Sequence, residues 1–147
     1  MAEVAKTVLI EQSAARMFEL VDRCEDYPLF LPWCSRAELR CRDDQKTAAT
    51  LHVNYHAVKT SFTTENDKEF PVSMKIRLVE GPFRRLEGSW DFRPLAENAC
   101  KIEFRLRYEF SSKLFEKIIG PVFGHIANTF VDAFVRRAGQ VYGAANG

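Results

Sequence analysis

Lys101-Ile-Glu-Phe-Arg-Leu-Arg-Tyr-Glu-Phe110 and the stretch Val122–Tyr142 decide the fold. In the first, Ile102, Phe104, Leu106, Tyr108 and Phe110 fall on one side of an extended chain. Lys101, Glu103, Arg105, Arg107 and Glu109 fall on the other, the period-two pattern of a strand with one buried face. In the second, Phe123, Ile126, Phe130, Phe134 and Val141 recur at helical spacing. A sheet face and a helix face both rich in large apolar side chains must cover each other. From Val122 the helix is about 31 Å long at ~1.5 Å per residue, enough to cross a small sheet. A concave apolar space between two such faces suits a lipid-like ligand.

Outward from this pair, Val4–Ile10 alternates as a strand, and Ser13 is placed to cap a short helix from Ala14 to about Arg23. Five further strands are predicted at about Ser35–Arg42, Thr47–Val58, Ser61–Glu69, Val72–Val79 and Arg84–Arg93, with turns at Gly81-Pro82 and Leu95–Ala99. Short connections favour an antiparallel sheet. The last helix starts after Ser111-Ser112, is expected to be interrupted at Gly120-Pro121, and stops at Gly143. Between the first helix and the second strand, Tyr27-Pro-Leu-Phe-Leu-Pro-Trp-Cys34 is too apolar for a free loop. It reads as a plug on the core or the rim of a pocket. The expectation is an α+β protein in which a curved antiparallel sheet wraps a long C-terminal helix around an apolar cavity, in one domain spanning 1–147.

Composition bounds the function. The chain has 147 residues, 46% of them hydrophobic, with twelve Phe and a net charge of +1. Such a chain buries roughly 68–70% of its unfolded surface, and its charge argues against DNA as a partner. Residues 1–70 sum to −3 and residues 71–147 to +4, which leaves room for one local basic patch. Cys24, Cys34, Cys41 and Cys100 form no CxxC pair, so they read as reduced thiols. With no secretory signal and no apolar run of bilayer length evident, a cytoplasmic location is expected.

Inward-facing strand positions are Leu51, Val53, Tyr55, Val72, Met74, Ile76, Leu78, Leu86, Trp90, Phe92, Phe104, Leu106 and Tyr108, none of them charged. Acid–base catalysis needs a titratable group beside the reacting atom, and only tyrosine hydroxyls qualify here. His52 and His56 would share a strand face about 13 Å apart, too far for one zinc ion, and His125 has no ligand partner at suitable spacing. Arg84 and Arg85, beside Gly81-Pro82-Phe83, suit a phosphate or an RNA backbone as well as a solvated strand edge.

Tyr27-Pro-Leu-Phe-Leu-Pro-Trp-Cys34, Glu80-Gly-Pro-Phe-Arg-Arg-Leu-Glu-Gly-Ser-Trp-Asp-Phe92, Ala133-Phe134 and Arg137-Ala138 resemble the coenzyme Q-binding START-domain family. Its bacterial branch includes ribosome-association toxins (RatA-like) and is often labelled polyketide cyclase. The resemblance spans nearly the whole chain and implies a helix-grip fold. It implies two kinds of function, a non-enzymatic ubiquinone carrier that supports respiration, or a protein that binds the large ribosomal subunit and hinders subunit joining.

For the first, the quinone needs no further cofactor. Its tail would lie along Phe123, Phe130, Phe134, Met74 and Ile76, with Trp33, Trp90, Tyr55 or Tyr108 at the headgroup and Phe104 and Leu106 in the wall. The Tyr27–Cys34 segment, with Phe30 and Leu31, would be the gate. For the second, Arg84, Arg85, Arg105 and Arg107 are the basic candidates. Transient contact with the inner membrane is compatible with either.

Overall fold

The computed structural model describes residues 1–143. Strands β1 (Ala2–Ile10), β2 (Cys34–Arg42), β3 (Lys46–Tyr55), β4 (Val58–Glu69), β5 (Ser73–Glu80), β6 (Phe83–Ala96) and β7 (Ala99–Phe110) form one sheet in the order β1-β7-β6-β5-β4-β3-β2. Every neighbouring pair is antiparallel. Helix α2 (Lys113–Tyr142) lies in the sheet's concave face, while α1 (Ala14–Asp22) and a 3₁₀ helix (Cys24–Leu29) cover the remaining core.

Local chemistry explains the helix starts. Ser13 and Ser112 are extended N-caps whose hydroxyls accept from the amides of Arg16 and Phe115, each at 3.1 Å. Along β7, Cys100, Ile102, Phe104, Leu106, Tyr108 and Phe110 are all buried, as the alternation requires.

Four expectations change. Helix α2 runs unbroken through Gly120-Pro121. The amide that proline lacks would have paired with the Lys117 carbonyl, and both residues are exposed, so water can take that bond. The β3–β4 hairpin turns at His56-Ala57, where the sequence predicted continuous strand. Both residues have positive φ (47° and 65°), which this tight turn requires and which neither residue type advertises. His52 and His56 therefore do not share a strand face. Val72 precedes β5 and is exposed rather than inward-facing. Finally, α2 is itself long and apolar enough to span a bilayer, although part of its apolar surface is what the sheet covers.

The Tyr27–Cys34 segment packs down as a plug: Tyr27, Leu31, Trp33 and Cys34 are buried, and the Tyr27 hydroxyl donates to the Val21 carbonyl at 2.6 Å. Arg42 of β2 clamps the 3₁₀ helix by donating to both Glu25 carboxylate oxygens, at 2.7 and 2.8 Å. This hydrogen bonding lowers the Glu25 carboxyl from 4.5 to about 2. A depressed folded-state value means the clamp contributes fully above pH about 4.5 and is lost as pH falls towards 2. The stability gap between wild type and Glu25→Gln should thus narrow steadily from pH 5 to pH 2.5 in urea titrations. A gap that stays constant would remove Glu25 from the acid response.

Candidate functional site

Between α2 and the concave face lies a cavity of about 70 Å³. Its walls hold Trp33, Ile76, Trp90, Phe104, Leu106, Phe123 and Phe130 from the expected ligand set. The other expected residues stand elsewhere. Phe134 is buried among Tyr27, Phe30, Trp90 and Phe130, behind the wall. Leu31 and Met74 are fully packed, and Phe30 is half-buried against Tyr27 and Phe134. Tyr55 stacks on His125 with its ring 5.8 Å away, and Tyr108 packs on Phe83, Phe110 and Phe123.

Cys24, Phe62, Thr64 and Asn66 also line the cavity, outside the expected ligand set, as do Tyr27 of the plug segment and Ile126 of the α2 stripe. Three come from β4, whose inward row reads Phe62, Thr64, Asn66, Lys68, a polar alternation that conceals its buried face. Gly88 shapes the space as well. It sits inward between Ile76 and Leu106, and a Cβ there would run into the Arg105 carbonyl oxygen.

Among the described residues, no Asp, Glu, His, Lys or Arg lines the cavity. Its two titratable groups stay protonated at neutral pH, because burial pushes the Cys24 thiol up to about 12 and the Tyr27 hydroxyl well above its ordinary value. Burial likewise raises the Cys34 thiol to about 11, so it is no ready nucleophile. Among the described residues no three His, Cys, Asp or Glu side chains gather as a metal site.

The expected basic residues lie on and beside the convex face but are interleaved with acids. Arg85 is registered opposite Glu109, Arg84 is 3.6 Å from Glu109, and Arg107 stands between Glu87 and Glu3. Arg105 alone of the four has neutral neighbours on both sides, Ser89 and Ala5, with Lys75 beyond Ser89. At the start of α2, Leu114, Phe115 and Ile118 are exposed apolar residues in a segment that also carries Lys113, Glu116 and Lys117.

Residues 10–135 match the family described as polyketide cyclase / dehydrase and lipid transport. The chain is 42% identical over 143 residues to the ribosome association toxin RatA of Vibrio cholerae, covering 97% of this chain and 99% of that protein. It is 26% identical to the mitochondrial coenzyme Q-binding protein COQ10 homolog B of Xenopus laevis, covering 96% of this chain and 59% of that one. The Zhui aromatase/cyclase from Streptomyces sp. R1128 shares the fold, with a TM-score of 0.76 at 15% identity over 97% of this chain and 98% of that one. A strand alternation and a gripped helix read from sequence, the cavity between them and these matches agree: the chain belongs to the polyketide cyclase / dehydrase and lipid transport family and has its START-type helix-grip fold.

Proposed function

We propose that the protein acts non-catalytically by associating with the large ribosomal subunit through its exterior and so hindering translation initiation. The near full-length 42% identity to a protein named ribosome association toxin carries this reading. The geometry supports it from the inside, since a 70 Å³ cavity is well below the roughly 300–1,000 Å³ of pockets that take drug-sized ligands. The interior as it stands is mostly structure, and the exterior is where a large partner is met.

Arg105 heads the binding surface, because its charge is the least neutralised of Arg84, Arg85, Arg105 and Arg107. Co-sedimentation with purified large subunits should be clear at 50 mM KCl and fall roughly tenfold or more by 300 mM, as phosphate contacts are screened. Arg105→Glu should weaken it more than Arg107→Glu, whose site Glu87 and Glu3 already offset. Protein that stays at the top of the gradient at 50 mM KCl would overturn the proposal.

A second reading retains ubiquinone as the ligand, favoured by the relative named coenzyme Q-binding protein and by the aromatic lining. It requires the walls at Phe123 and Phe130 to open well beyond their present separation. Solvent extraction of gently purified protein tests it in parallel. A near-stoichiometric quinone together with absent co-sedimentation would replace the first reading with this one.

A further inference from the structure

A groove of about 590 Å³ opens on the outer side of β3 and β4, where Arg40, Thr50, His52 and Thr63 meet Glu80 and, at the start of α2, Phe115. Hydrogen bonds fix its floor: the Thr50 and Thr63 hydroxyls lie 2.7 Å apart, and Arg40 Nε donates to Thr50 Oγ1 at 3.0 Å. The charge around it is unbalanced. Arg36 and Arg40 share one carboxylate, Glu38, at 2.6 and 2.7 Å. The Glu38 side chain is 23% exposed against 68% and 56% for the two arginines, so the surface shown to a partner is cationic. His52 Nε2 stands 3.7 Å from Glu38 Oε1 and makes no hydrogen bond there. Lys59, one outward position beyond Ser61 in the lining, makes no ion pair among the described residues and adds to the excess.

The other end of the groove is aromatic. Phe115 is 41% exposed and stacks on no other ring among the described residues, whereas Phe70, also exposed, packs edge-on against Phe18 at 5.1 Å. Exposed guanidiniums and hydroxyls suit the phosphate and sugar of a nucleotide, and an unused ring suits its base. In a duplex the bases are stacked on one another, so the base must come from an unpaired stretch. The volume falls within the roughly 300–1,000 Å³ of small-ligand pockets. We propose that this groove seats one unpaired nucleotide of an RNA strand, its phosphate on Arg36 and Arg40 and its base on Phe115. Glu80, the carboxylate in the lining, is left to accept from the ribose 2′-hydroxyl. This inference rests on the ribosome reading and adds an RNA contact across the sheet from Arg105.

Fluorescence anisotropy with a labelled uridine dodecamer at 50 mM KCl tests it. Wild type should bind the dodecamer, and an RNA duplex of the same length or uridine monophosphate should compete far less well. Phe115→Ala should weaken binding about tenfold without changing its salt dependence, the mark of lost stacking. Arg40→Ala should weaken it and lower the slope of log affinity against log salt by about 0.7, the mark of one lost phosphate contact on a single strand. No dodecamer binding, variants indistinguishable from wild type, or uridine monophosphate competing as well as the strand would overturn the groove. Co-sedimentation with large subunits separates it from the reading on which it rests. Phe115→Ala and Arg40→Ala that sediment like wild type would overturn the groove and leave the ribosome reading standing. Wild type that fails to sediment, yet binds the dodecamer through Phe115, would overturn that reading and leave the groove an RNA site.

Discussion

Phe134→Ala is expected to destabilise the protein by about 3–5 kcal/mol, the range for truncating a buried aromatic ring. Phe134 is 1% exposed and joins three parts of the molecule. Its ring centroid lies 5.4 Å from Trp90 on β6, 5.3 Å from Tyr27 and 5.2 Å from Phe30 on the plug, and 5.0 Å from Phe130 one turn back on α2. Truncation leaves a void that no single neighbour can fill, because each of these rings is held by the others. The melting temperature should fall by roughly 6–20 °C. Phe115→Ala is the control: that ring is 41% exposed, and its loss should stay within about 0.5 kcal/mol. Phe134 does not line the cavity, so a loss below about 1 kcal/mol would mean that the plug and α2 are held together by something other than this aromatic junction.

The sequence separates those roles only in part. Large apolar residues at period two and at helical spacing announce burial, and β7 and α2 were legible for that reason. Burial does not say whether a side chain faces a void or another side chain. Phe123 and Phe134 occupy equivalent positions in the periodic stripe, yet one lines the cavity and the other sits behind it. That distinction depends on how far the sheet curls, which is set by pairing geometry and by the missing side chain at Gly88.

Two further features were hidden for different reasons. The His56-Ala57 turn uses positive φ at residues that lack the usual Gly or Asn marker, so Thr47–Val58 read as one strand. Three of the four side chains in the inward row of β4 are polar, and a hydrophobicity pattern discards it. Polar groups in and beside that row are met by partners from elsewhere in the chain: Asp22 serves Lys68 and, on β3, the Thr47 opposite Asn66, and Met74 takes one end of Asn66. Long-range pairing of that kind has no local signature. The basic candidates show the converse. Arg85, Arg105 and Arg107 are exposed as their alternation suggests, but only strand register reveals which carboxylates sit beside them.

Asp22→Ala should be about as damaging as the loss of Phe134, for an electrostatic reason. Asp22 ends α1, where a carboxylate is disfavoured by the helix dipole, so its place is secured by what it binds. Its Oδ1 accepts from the Thr47 hydroxyl, and its Oδ2 lies 3.3 Å from both Lys68 Nζ and Arg42 Nε. The Lys68 side chain is only 6% exposed. Removing the carboxylate would strand a nearly buried ammonium beside a guanidinium of the same sign, a change that typically costs about 3–5 kcal/mol. Asp67→Ala breaks an ion pair with Arg77 whose members are 45% and 52% exposed, and should cost no more than about 1 kcal/mol. If the damage comes from the stranded charge, Asp22→Ala combined with Lys68→Met should recover most of the lost stability, since an apolar chain of similar length removes the unpaired ion. A double variant as unstable as Asp22→Ala alone would assign the loss to the Thr47 and Arg42 contacts instead. In either case the carboxylate fixes the end of α1 to the sheet, beside Lys68, which is one inward position from Asn66 and the cavity.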